Sequence, residues 1–111
     1  HSKRGMDALA TGQFSPPTRP ENPTWDSLVA LIDEAKGGVD AADAEAINAS
    51  EDGEVIFSRG DFSMAFKASD FILTFSLPNF YFHATTTYDI LRMKGVPLGK
   101  MDFLGRMRTK G

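Results

Sequence analysis

The sequence predicts a mainly α fold, a partial helical bundle with a β-hairpin set directly before a long C-terminal helix. Three observations carry this. The stretch 69–94 holds six of the twelve aromatic residues and both tyrosines and reads as one long helix. An amphipathic segment begins at Trp25, and two short runs rich in β-favouring residues flank Arg59-Gly60-Asp61. With 111 residues, 41% of them hydrophobic and 24% charged, one domain with one core is expected.

Residues 1–12 have helix-forming composition, with Met6, Leu9 and Ala10 to one side and Gly12 as a stop. Ten residues make a poor isolated helix, so this segment reads as the end of an element that depends on packing. Residues 13–23 contain four of the six prolines and are expected to form an extended crossover loop. A helix is predicted over 24–36, with Thr24 as N-cap, Leu28, Val29, Leu31, Ile32 and Ala35 as its apolar face, and Gly37 and Gly38 as its end. The Ala-rich run 39–49 predicts a short helix with acidic residues at its start. Residues 54–67 read as the hairpin, with Val55 and Phe57 on the same side as Met64 and Phe66, a face that must lie over helices to be stable.

The long helix is predicted over 69–94. Ser69 is its expected cap, Asp70 suits the positive end of the helix dipole, Arg92 and Lys94 suit the negative end, and Gly95 closes it. At about 1.5 Å per residue it spans roughly 37 Å, the length of a full bundle helix. Phe71, Ile72, Leu73, Phe75, Leu77, Phe80, Tyr81 and Phe82 leave no polar face in its first half, so enclosure on most sides is expected there. Pro78 removes one helical N–H and predicts a bend at mid-helix. Residues 95–111 read as an extended tail that docks back through Val96, Leu98, Met101, Phe103 and Leu104 and ends loosely.

Charge is small overall, −3, but uneven. Asp26 to Glu54 carries nine acidic residues against Lys36, and Arg92 to Gly111 carries six basic residues against Asp102. The weak net field gives no reason to expect nucleic acid as partner. Absence of cysteine removes disulfides, thiolate metal sites and cysteine nucleophiles, and is compatible with a cytoplasmic protein. The uncharged run 71–88 is long enough to raise a membrane span, but Pro78, Asn79, His83 and three threonines argue against lipid. No membrane partner is expected.

The two histidines are His1 and His83, and no HExxH, P-loop or nucleophile-elbow motif occurs. Asn79, Thr86 and Thr87 lie three or four residues from His83 on its side of the helix, and Tyr88 follows. Two readings fit this polar stripe. One is a core histidine held by Asn79 and the threonines, since a buried unpaired polar group costs about 1–3 kcal/mol. The other is a small-molecule ligand pocket formed by Asn79, His83, Thr86, Thr87 and Tyr88, opened by the bend at Pro78.

The block FSLPNFYFHATTTYDILRMKGVPLGKMDFLG, Phe75 to Gly105, closely resembles the end of the bacterial domain-of-unknown-function family 1993. The segments EVIFSRGDFSMAFKASDFIL and HSKRGMDALATG are similar to the same family, so the resemblance covers nearly all of the chain up to Gly105. It implies a DinB/YfiT-like four-helix bundle of which this chain is the C-terminal part, with residues 1–12 the end of the second bundle helix. It also implies a homo-oligomer, most simply a dimer. Many branches of that superfamily hold a divalent metal through three histidines, which implies zinc or nickel here, with His83 and His1 as candidate ligands. Four residues after His83 stands Thr87 where such sites carry a second histidine. The function expected is that of a self-associating domain with a small polar pocket around His83. The alternative is a divalent-metal-dependent enzyme, working or vestigial.

Overall fold

The computed structural model describes residues 2–110. It is mainly α with a small three-stranded sheet. The elements run α1 (Ser2–Thr11), β1 (Gln13–Phe14), α2 (Trp25–Asp40), α3 (Ala44–Ala49), β2 (Glu54–Arg59), β3 (Phe62–Lys67), α4 (Ala68–Asp70), a π-helical segment (Phe71–Ser76), α5 (Leu77–Met93) and α6 (Lys100–Leu104).

The sheet has the order β1-β2-β3. β2 and β3 form the antiparallel hairpin, with Val55 opposite Phe66 and Phe57 opposite Met64. The turn between them is only Gly60-Asp61, with Gly60 at a φ of 58°, the left-handed conformation that tight hairpin turns require. β1 pairs parallel to β2, Gln13 with Ile56 and Phe14 with Phe57. This strand lies within the segment expected to be an irregular crossover loop. The prolines begin only at Pro16, so Gln13 and Phe14 keep both the backbone donor and the freedom to pair. Gly12, at a φ of 70°, turns the chain from α1 into β1, and its carbonyl accepts the Ile56 N–H at 2.8 Å.

One aromatic cluster forms the core. Phe71 is wholly buried and Phe14 and Phe57 nearly so, and Phe66 and Phe75 pack against them with Val55, Ala8 and Ala68. Ring centroids lie 5.3 Å apart for Phe14 and Phe71, 5.3 Å for Phe57 and Phe75, and 5.8 Å for Phe66 and Phe71, at tilted or edge-on angles that suit the ring quadrupoles. α1 approaches this layer through Gly5, where an added Cβ would stand 2.5 Å from the Ser76 hydroxyl.

The long helical rod, 68–93, differs from a uniform α-helix. It starts at Ala68, whose N–H bonds to the Gly53 carbonyl at 2.7 Å, and Lys67 rather than Ser69 holds the N-cap position, without a side-chain cap. Residues Phe71–Ser76 are π-helical, and the Leu77 N–H reaches back five residues to the Ile72 carbonyl. This wide turn lies directly before Pro78, whose missing N–H interrupts the regular ladder in any case. Beyond it, α5 ends at Lys94, and Gly95 takes a φ of 87°.

Three other elements depart from expectation. α2 continues through Gly37 and Gly38 to Asp40, because a helical glycine costs only about 1 kcal/mol and the Ala41 N–H still finds the Gly37 carbonyl at 3.0 Å. Thr24 does cap it, in a reciprocal box with Ser27. The short helix therefore begins later, at Ala44, capped by Asp43. The tail is not extended throughout: Lys100–Leu104 is helical, and the Gly99 N–H bonds to the Asp102 carboxylate at 2.7 Å.

Candidate functional site

The polar stripe lies on α5, beyond the π-helical segment and away from the aromatic core. His83 is exposed, so the reading of a buried core histidine does not hold. Its ring meets that of its neighbour Phe82, edge-on at 5.3 Å. The cause is positional: the sheet covers the rod over Phe71–Phe75, and nothing comparable covers it two turns later. Asn79 is half-buried, and Thr86 and Thr87 are exposed. The two hydroxyls turn back into the helix, Thr86 donating to the Phe82 carbonyl at 2.7 Å and Thr87 to the His83 carbonyl at 2.8 Å. Tyr88 anchors the tail instead: its ring packs edge-on against Phe103 at 5.5 Å, while its hydroxyl accepts from Arg92 at 3.1 Å. These five residues thus share one helix, α5.

A groove of about 670 Å³ lies elsewhere, between α1, the end of α2 and α3, walled by Met6, Leu9, Ala42, Ala46 and Ile47. Its carboxylates are already engaged. Asp7 is paired with Lys3 at 2.6 Å, and Asp43 accepts the N–H groups of Glu45 and Ala46. No acid–base or nucleophile pair stands in it.

Among the described residues no group of three or more His, Asp or Glu side chains is placed to hold a metal ion. His1, the other histidine expected as a ligand, lies outside the described residues. The described residues alone do not supply the three protein ligands that a catalytic zinc centre ordinarily has.

Apolar side chains dominate the rest of this surface. Leu77, Phe80 and Tyr81, at three- and four-residue spacing, and Leu91, fourteen residues after Leu77, fall on one side of α5 and all are exposed, with Phe82 beside them at 65%. On α2, Leu28, Leu31, Ile32 and Val39 form a second open stripe headed by Trp25, which is 79% exposed. Residues 1–104 match the family described as Domain of unknown function (DUF1993). The chain belongs to this family. No curated protein and no solved structure matches it. As a member of an uncharacterised family it brings no reaction with it, so the surface must carry the functional reading. Sequence reasoning missed Phe14, whose place in the core was hidden by the prolines that follow it. A signal was available, since Phe14 is the one aromatic residue between Met6 and Pro23. No helix among the described residues is long and apolar enough to cross a membrane.

Proposed function

We propose that this chain is a DinB-like bundle domain that works by self-association, with the open stripes of α5 and α2 as its docking faces and a second copy as their occupant. The observation that carries the reading is the uncovered surface. The accessible area is 8951 Å², against about 6000 Å² for a compact monomer of this mass. The radius of gyration is 16.0 Å, against about 13 Å for a compact domain of this length. The exposed residues include Trp25, Ile32, Tyr81, Phe82 and Met93, large apolar side chains whose burial against protein is favourable.

Charge supports a second copy as the occupant. The acidic segment 26–54 and the basic segment 92–110 lie on one chain, and the ion pairs formed among described residues, Lys3 with Asp7 and Lys67 with Asp52, join neither segment to the other. Apart from Asp52, which Lys67 already holds, both segments offer charge that a second copy complements. A polar ligand site around Asn79, His83, Thr86 and Thr87 belongs to this proposal as a site that a partner surface closes, because His83 is exposed in the single chain.

Light scattering across a concentration series tests the reading. A dimer mass is expected at micromolar concentration. Combined Leu77→Lys and Phe80→Lys substitutions should give a monomer with unchanged helix content. A wild-type chain that stays a monodisperse monomer at all concentrations contradicts the proposal.

A further inference from the structure

The hairpin offers a second surface of a different kind. β3 is an edge strand, since the sheet ends there. The direction of its free hydrogen-bonding groups follows from its neighbours. The Ile56 N–H is spent on Gly12, on the β1 side of β2, so the pair Ile56–Ala65 is a non-hydrogen-bonded one. Ala65 therefore turns its N–H and C=O away from β2, as do Ser63 and Lys67 by the period of two, while Phe62, Met64 and Phe66 bond to β2. The Ala68 N–H, in phase with the second set, bonds inward to Gly53.

Edge strands are ordinarily blunted by proline, bulges, inward charges or a covering element. Residues 62–66, FSMAF, have no charge and no proline, and the register with β2 runs unbroken from Glu54–Lys67 to Arg59–Phe62, with no bulge. Ser63 and Ala65 are small and exposed, so a neighbouring backbone can come close.

We propose that β3 pairs antiparallel with the β3 of a second copy about a two-fold axis at Met64, joining two three-stranded sheets into one of six strands. The proposal rests on the self-association reading for its partner and names a separate surface. The axis position follows from charge. Centred on Met64, the outward-facing groups of Ser63 meet those of Ala65 in the partner, and Asp61 comes opposite Lys67, whose exposed ammonium also holds Asp52 of its own chain, twice by symmetry. Centred one residue on, at Ala65, the pairing sets Lys67 against Ser63 and leaves Asp61 facing no cation.

The chain has no cysteine, so single cysteines report the pairing directly. In this register residue 64 faces its own copy across a non-hydrogen-bonded pair, with Cα atoms about 4.5 Å apart, within disulfide reach. Met64→Cys should cross-link on mild oxidation at least threefold more than Ala65→Cys or an exposed loop control, Thr18→Cys. Asp61→Lys should reduce that cross-linking, since it removes the carboxylate opposite Lys67 and sets like charges against each other. Cross-linking that peaks at Ala65→Cys, or that nowhere exceeds the Thr18→Cys control while circular dichroism shows an intact fold, overturns the proposal. The two surfaces separate cleanly. A dimer by light scattering without edge cross-linking leaves the helical docking faces standing and removes this one. Edge cross-linking that persists when Leu77→Lys and Phe80→Lys leave the mass unchanged removes the helical faces and keeps this one.

Discussion

Phe71 and Phe75 share one helical rod with Phe80, Tyr81 and Phe82, and the two groups have opposite environments. The first is enclosed by Phe14, Phe57 and Phe66 from three strands, and Phe71 is 0% exposed. The second begins about a turn further along, past the π-helical segment, and stands open, Phe82 at 65%. Aromatic density alone does not decide burial. What decides it is where the hairpin and β1 end, since the same residue type contributes core stability on one side of Ser76 and open apolar surface on the other.

The largest effect expected from breaking this contrast is at Phe71. Phe71→Ala removes a fully enclosed ring and should destabilise the fold by about 3–5 kcal/mol in chemical denaturation. Next comes the turn that brings Phe14 into the cluster. Gly12→Ala forces a side chain into a left-handed backbone, 3.3 Å from the Glu54 carbonyl, and should cost about 1–2 kcal/mol by the same measurement. Phe80→Ala should cost under about 1 kcal/mol in a dilute monomer and act chiefly by weakening the dimer in sedimentation. His83→Gln should likewise shift stability by under about 1 kcal/mol, because the imidazole is exposed. A stoichiometric metal that vanishes in His83→Gln, read by elemental analysis of protein purified without a tag, would instead assign that residue to a metal centre.

The smallest effect is electrostatic. Lys67 donates a hydrogen bond to Asp52, at 2.7 Å, and with its charge holds that carboxyl below the ordinary carboxylate value; the same bond and charge raise the Lys67 ammonium above its own. A depressed carboxyl pKa gives stability that is present above the unfolded value and lost as pH falls through the folded one. A raised ammonium pKa gives stability that is present below the unfolded value and lost as pH rises through the folded one. The pair thus contributes across neutral pH and fades at both extremes. Both groups are solvent-exposed, so Asp52→Asn should show in the NMR titration of Lys67 and hardly at all in melting.

The fold was legible where period and punctuation agree. The alternation in Val55, Phe57, Met64 and Phe66 marked the hairpin and its inner face, and Thr24 marked the start of α2. It was illegible where a local rule was outvoted by continuity. Two glycines did not stop α2, because one helical hydrogen-bond ladder tolerated both. The site was less legible than the fold. Helical spacing groups Asn79, His83 and Thr86, but which side of α5 is covered depends on contacts with β1, β2 and β3, and Phe14 gave no periodic signal in a two-residue strand. The expectation of enclosure along the whole first half of the long helix failed for that reason at Phe80, Tyr81 and Phe82.

Amide hydrogen exchange at low and high protein concentration tests the contrast most directly. Slow exchange over 54–59 and 71–76 at both concentrations is expected, because the aromatic core lies within one chain. Over 80–91, protection should appear only at the higher concentration, as a second copy covers the open face of α5. Equal protection of 80–91 at both concentrations, under conditions where scattering shows the mass to have changed, would contradict the account.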